Sequence, residues 1–312
     1  MVQHYGAPWL CEECWASRVG DLSYANALAN APWCNAPRAC AEVIAEIMEK
    51  DKEFPLLQLG WHNTSDFEDF LHDDLLGLRQ HMNGGVLHEL CREQAFGAFD
   101  ECTTWRERLD SQLREAFRFF STWTSFNGLS HSQPPFNSWN LSMKKMTSEP
   151  VLKSKAKNGQ VVSAWLTVEA AWYVDTTYNR VRASVMKAFD EVYSIVVATK
   201  YPNWRLSESQ ASDLEQCRMR MLLGYHFLAK KHAENASAHF SLVPKFHKVD
   251  HLLRRAIRTR VSPSLWWTFS LESHMGIMAR MVHKLHASSS SRRGIERWLL
   301  YFFSTTLADL RE

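Results

Sequence analysis

With 312 residues, 46% of them hydrophobic and 22% charged, the chain can bury a large core and is too apolar for wholesale disorder. Its net charge of +2 hides a polarity: residues 1–101 carry 17 acids against 6 bases, whereas residues 244–297 carry 11 bases against 3 acids. Seven cysteines without a regular framework, no secretory leader, and no run near the roughly 18 apolar residues of a membrane span argue for a soluble intracellular protein with no membrane partner.

Residues 1–65 read as an irregular, cysteine-containing segment punctuated by Pro8, Pro32, Pro37 and Pro55, with one helix through 41–50, where Val43 and Ile47 share a face. Residues 66–91 open with FEDFLHDDLLG, which sets Glu68, Asp69, His72, Asp73 and Asp74 into an apolar run. The helix that follows is expected to break near Asn83-Gly84-Gly85. Residues 92–243 read as a helical block, starting with TTWRERLDSQLREAFRFF and interrupted by a long loop at about 121–160 that is rich in Ser, Asn, Pro and Gly. Beyond the loop, Val181, Val185, Val192 and Val196 form one helical stripe beside Phe189, and Leu214, Cys217, Met221, Tyr225 and Leu228 form another. Residues 244–312 hold a basic helix, a short aromatic stretch at 264–272 that reads as a strand, and a final amphipathic helix. The expected class is mainly α with a few β-strands (α+β), without internal repeats.

Three groups of residues are candidates for chemistry. Cys11-x-x-Cys14 is half of a zinc knuckle, to be completed by the looser pair Cys34 and Cys40, or by a histidine such as His4 or His62. His247 and His251, four apart, share a helical face with a run of cations. The zinc-protease glutamate is missing between them, so that face reads as a surface for a polyanion, a helix packed through its histidines, a solvated basic face, or a metal-binding pair. Asp69 and Glu272, far apart in sequence, are two acids of the kind that converge on paired divalent ions. The plain alternatives are a helix-capping Asp69 and a first-turn Glu272. No nucleophile elbow, Walker loop or G-x-G-x-x-G occurs, which disfavours a nucleotide cofactor. The charge polarity fits either an acidic site facing a basic groove or two halves that attract each other.

Taken in order, CEECWA, Asp69-x-x-His72 with Leu76-Gly77, PKFHKVDHLLR and FSLESHMG resemble the transposases of eukaryotic DNA transposons with an RNase H-like (DDE/D) core, closest to the CACTA-like and Plavaka- or KDZ-like groups. The resemblance implies a remnant RNase H-like core with a large helical insertion. Asp69 would be the second catalytic carboxylate, Glu272 the third, and His72 a supporting group. Mg²⁺ or Mn²⁺ would be the catalytic ions, with Zn²⁺ at the cysteines. DNA would be the partner, contacted by Lys245, Lys248, Arg254, Arg255, Arg258 and Arg260 with salt-sensitive affinity, and the nucleus would be the compartment. The family's first aspartate precedes the Cys-x-x-Cys segment, and no aspartate stands before Asp21 here. The resemblance therefore implies a truncated or domesticated relative, inactive alone in strand transfer.

Two other readings compete. A helical protein-interaction module without catalysis needs only the aromatic-rich helices and the opposed charges. His72-Asp73 is also similar to the His-Asp dipeptide of HD-type metal phosphohydrolases, although the further histidine and aspartate of that family have no clear counterparts.

Overall fold

The computed structural model describes residues 11–50, 69–199, 203–265 and 267–268, apart from residues 12, 29, 100 and 103. The chain divides into two compact units, Met1–Trp266 and Trp267–Glu312, and all the elements named below lie in the first. The expected strand at 264–272 and the final helix fall largely or wholly outside the described residues, as do Glu68 and Glu272.

The described part is mainly helical. A 3₁₀ turn, Pro32–Asn35, precedes α1, Cys40–Lys50. A π-helical segment, Leu71–Leu78, runs directly into α2, Arg79–Arg92. Then come α3 (Trp105–Phe126), α4 (Ala156–Trp172), α5 (Thr177–Ala198), α6 (Glu208–Glu234) and α7 (Pro244–Thr259), followed by a 3₁₀ turn at Pro263–Leu265. Among the described residues, extended pairing is limited to the isolated bridges Cys14–Pro37, Ser17–Ser23 and Arg205–Val261, and no sheet forms.

The helix starts are written in the sequence. Thr104 and Glu107 form a reciprocal capping box at the start of α3, and Ser207 and Gln210 form another at α6. Thr176 caps α5 by accepting from the Asn179 amide, and Pro244 occupies the first turn of α7, where its missing N–H costs nothing. The stripes bury as expected: Val185, Phe189, Val192 and Val196 from α5 lie in the core with Leu214, Cys217, Met221, Tyr225 and Leu228 from α6.

The expected break at Asn83-Gly84-Gly85 does not occur, because α2 runs straight through it. These glycines are contact points. A Cβ on Gly84 would lie 2.3 Å from the Pro150 carbonyl oxygen, and one on Gly85 would lie 2.4 Å from the Phe240 ring. The loop after α3 is fastened along this face, with the Leu152 amide donating to the Gln80 carbonyl at 3.0 Å. Alanine is normally better than glycine inside a helix by about 1 kcal/mol. Here Gly84→Ala is expected to have the opposite sign, destabilising by roughly 1–3 kcal/mol through overpacking, as a urea-unfolding comparison with wild type would read directly.

The distortion sits upstream instead, at Gly77, whose φ/ψ of −119°/−108° is non-helical. Lys245 of α7 fills the gap: its Nζ donates to the His72 carbonyl at 2.7 Å and to the Leu76 carbonyl at 3.4 Å. A Cβ on Gly77 would meet the Lys245 stem at 2.5 Å, which is why glycine fits this position. Backbone acceptors freed by the π-turn thus receive a charged donor from another helix.

Polar groups hold the helices in register. Arg79, fully buried, joins α2 to Asp74, to Ser163 of α4 and to the Phe189 carbonyl of α5. A second buried chain runs from Glu89 through His232, Ser237 and His239 to His88. Burial keeps its two end imidazoles neutral, lowering His88 to about 4 and His239 to about 3.

Candidate metal centre

The N-terminal segment lies against α6 and α7, held there by contacts from both helices. Two arginines grip its backbone. Arg218 Nη1 donates to the Ala27 carbonyl at 3.2 Å, and Arg254 Nη2 donates to the Ala27 and Leu28 carbonyls at 3.2 and 2.7 Å. Both arginines also bond the wholly buried Asp250 carboxylate, at 2.5 and 2.9 Å. Arg255 pairs with Glu13, and the Tyr24 hydroxyl donates to the Leu242 carbonyl. Within the segment, Cys14 bridges Pro37, the Trp15 amide donates to the Ala36 carbonyl at 2.9 Å, and Arg38 donates to the Cys11 carbonyl at 3.2 Å. This local pairing presents both cysteine sulfurs on one side.

That side meets His247 and His251. Cys14 Sγ lies 3.3 Å from His247 Nε2 and 3.2 Å from His251 Nε2, and Cys11 Sγ lies 3.6 Å from His251 Nε2. One ligand atom from each of the four residues falls within 4.8 Å of all the others. Sulfur and nitrogen ligands at ordinary zinc bond lengths on a tetrahedron sit about 3.6 Å apart, so the observed sulfur–nitrogen separations match a tetrahedral edge. Two thiols and two imidazoles are also the donor chemistry of a closed zinc site.

The surroundings suit such a centre. Cys11, Cys14 and His247 are buried, and the Trp33 ring packs edge-on to His247 at 4.5 Å and tilted to His251 at 5.0 Å. The Arg254 guanidinium covers the Trp33 ring at 5.0 Å. Glu13 serves two ligands: its amide donates to Cys11 Sγ at 3.3 Å, and its carboxylate lies 3.7 Å from His251 Nδ1. A carboxylate behind a ligating imidazole fixes its orientation and raises its basicity. His247 Nδ1 is buried with no hydrogen-bond partner, so packing and the Cys14 contact at Nε2 orient that ring. Burial pushes the His247 imidazole well below its ordinary range, and the Cys14 contact together with burial pushes the Cys11 thiol well above its own. His247 thus stands ready as a neutral ligand, while a thiol gives up its proton when a metal binds.

The structure groups these ligand types differently from the set expected from sequence, and His4 and His62 lie outside the described residues. Cys11 and Cys14 meet the histidine pair of α7, whereas Cys34 is exposed on the Pro32–Asn35 turn and Cys40 is half-buried at the start of α1. The signal that would have found the partners was present: two half-sites, Cys-x-x-Cys and His-x-x-x-His, each with the spacing of a bidentate clip.

The acid motif is built differently from its surroundings in sequence. Asp69 opens the π-segment, its Oδ1 accepting from the Leu71 amide at 3.1 Å and its Oδ2 paired with His72 Nδ1. His72 is about half exposed. Asp73 and Asp74 are first-turn acids as their position suggests, but both are buried. Burial raises the Asp73 carboxyl to about 6 against the pull of Lys248 and Lys245, and Asp74 is raised by burial and bonded to Arg79 at 2.8 Å. His72 and Asp73 do not gather further histidines: among the described residues, the metal-capable cluster is the Cys₂His₂ set.

The expected DNA-contacting cations divide in two. Lys245, Arg254 and Arg255 are engaged inside the protein, as described above. Arg258 and Arg260 are exposed, Arg260 within 3.2 Å of Glu208, and Lys248 is partly exposed. No described helix is long and apolar enough to cross a membrane. Compared with known protein families, curated proteins and solved structures, the chain matches none.

Proposed function

We propose that Cys11, Cys14, His247 and His251 hold one Zn²⁺ ion as a structural centre that fastens the N-terminal segment to α7. The observation that carries this reading is the placement of two sulfurs and two Nε2 atoms at tetrahedral-edge separations in a buried pocket. Four protein ligands leave no position for substrate, so the ion stabilises the fold and performs no hydrolysis. Zinc prepared with the protein is expected at one equivalent per chain by mass spectrometry, and a strong chelator should lower the melting temperature. Metal-free protein with unchanged melting would overturn the assignment.

The wider reading is a transposase-derived DNA-binding protein with a remnant RNase H-like core. It is supported by the order of its motifs and by the Asp69–His72 pair at the mouth of the π-segment. DNA contact along α7 would then rest on Lys248, Arg258 and Arg260. Three neutralised phosphates correspond to a slope of about −3 in log affinity against log salt, and affinity that stays flat with salt would exclude this surface.

A further inference from the structure

A second surface, far from Cys11 and Cys14 in sequence, carries aromatic and cationic groups that the Cys₂His₂ cluster does not use. Trp105 opens α3 and is about one-third exposed, and Trp139, in the loop before α4, is 72% exposed. Between them lies Arg106, its guanidinium carbon 5.2 Å from the Trp105 ring centroid and 5.7 Å from that of Trp139. Arg106 cannot swing freely, because its Nη2 donates to the Lys144 carbonyl at 2.8 Å. Its Nε is buried without a partner. The guanidinium therefore acts as a fixed spacer that orients two indole rings, each with a face left over.

The loop that carries Trp139 is pre-organised. Asp110 of α3 accepts from the Ser138 amide at 2.7 Å and from its hydroxyl at 3.3 Å. Asn137 Oδ1 accepts from the Trp139 and Asn140 amides at 3.0 and 2.9 Å, and Asn140 Nδ2 donates to the Pro135 carbonyl at 2.7 Å. The same loop then exposes Lys144 and Lys145. Nearby acids are already committed, Asp110 to Ser138 and Glu107 to the capping box.

Composition decides between partners. Tryptophan and arginine suit a protein interface, but exposed lysines are depleted there. Rigid aromatic faces beside flexible ammonium groups suit a chain of stacked bases joined by phosphates, since every base has a π-face and every linkage a negative charge. We infer that Trp105, Trp139, Lys144 and Lys145, with Arg106 as the positioning residue, form a binding platform for single-stranded nucleic acid. This platform depends neither on the metal nor on the exposed cations of α7.

The test is fluorescence anisotropy of a labelled oligothymidine with the full-length protein at low salt. Trp139→Ala is expected to weaken binding by at least about fivefold, the lower end for loss of one stacked base. Trp172→Ala is the control, because that tryptophan, the last residue of α4, is 78% exposed yet outside the Trp105–Arg106–Trp139 cluster, and it should leave affinity unchanged. The double variant Lys144→Glu/Lys145→Glu should weaken binding and flatten its salt dependence by about 1.4 units of log–log slope, the single-strand value for two phosphate contacts. Melting temperatures equal to wild type show that the surface variants fold, and a duplex of matching length should bind more weakly at this site. Unchanged affinity in Trp139→Ala, an equal loss in Trp172→Ala, or polyglutamate competing as strongly as the oligonucleotide would each overturn the assignment, the last in favour of an acidic protein partner. Loss of oligonucleotide binding in Arg258→Glu with Trp139→Ala unaffected would place the contact on α7 instead.

Discussion

Cys14→Ser should release the bound zinc and lower the melting temperature by roughly 10 °C, whereas Cys34→Ser should change neither. Cys14 is the sulfur nearest both imidazoles, at 3.3 and 3.2 Å, so its loss removes the ligand at the middle of the set. The size of the effect follows from linkage: a ligand present at a thousand times its dissociation constant stabilises by about 4 kcal/mol. Each kcal/mol moves the midpoint of a chain this long by about 2–4 °C. Serine keeps nearly the same volume, so cavity formation adds little. Cys34 is exposed and outside the cluster, which makes its replacement a direct comparison between the two possible ligand sets. Zinc content by mass spectrometry and thermal unfolding by circular dichroism read both variants, and zinc lost from Cys34→Ser but kept by Cys14→Ser would reverse the ligand assignment.

Arg79→Met should destabilise the protein by about 3–5 kcal/mol, the cost of leaving a buried charge without its partner. Arg79 and Asp74 are both essentially inaccessible, and the guanidinium gives Asp74 Oδ2 two hydrogen bonds, at 2.8 and 3.2 Å. It also lies 3.4 Å from Asp190, so two carboxylates lose a counter-charge together. Burial already raises the carboxyls of both Asp74 and Asp190 against the pull of Arg79. Removing Arg79 pushes both further toward the neutral form. The double variant Arg79→Met/Asp74→Leu should recover at least half of the loss, because an apolar pair of similar volume leaves less unsatisfied charge. Urea unfolding of the four-member cycle measures the coupling; additive effects would show that the pair contributes nothing beyond its separate parts.

The sequence made some of this visible and hid the rest for identifiable reasons. Helices α5 and α6 were legible because their apolar stripes repeat at the helical period without Gly or Pro, and their starts carry capping residues. The Gly84-Gly85 pair misled because glycine's propensity is a local quantity, while the reason for it is a distant backbone carbonyl and the Phe240 ring. Asp73 and Asp74 were legible as first-turn acids, but their burial was not, because position alone does not reveal that Arg79 turns inward onto Asp74 or that the lysines of α7 face Asp73. The Cys₂His₂ cluster was half legible. Cys-x-x-Cys and His-x-x-x-His each stood out, but joining them meant choosing a distant pair over the nearer Cys34 and Cys40. The basic helix was read as outward-facing, yet Arg254 and Arg255 are consumed by the carbonyls and Glu13 of the N-terminal segment. Of the two meanings of the charge polarity, attraction between the halves fits the Arg255–Glu13 pair, whereas Arg254 binds backbone carbonyls and Asp250 of its own helix.

The separation of the two half-sites also sets an order of events during synthesis. Cys11 and His251 are 240 residues apart. At about 5–20 residues per second, a ribosome needs roughly 10–50 s to make that stretch. Throughout that interval the cysteine pair has none of its imidazole partners, and any ion it captures is held by half a ligand set. The centre closes only when α7 has left the ribosome, so a metal-loaded chain is one whose translation has passed His251. Interrupted chains that end earlier would carry the thiols but never the completed clasp, and zinc retention would distinguish them from finished protein.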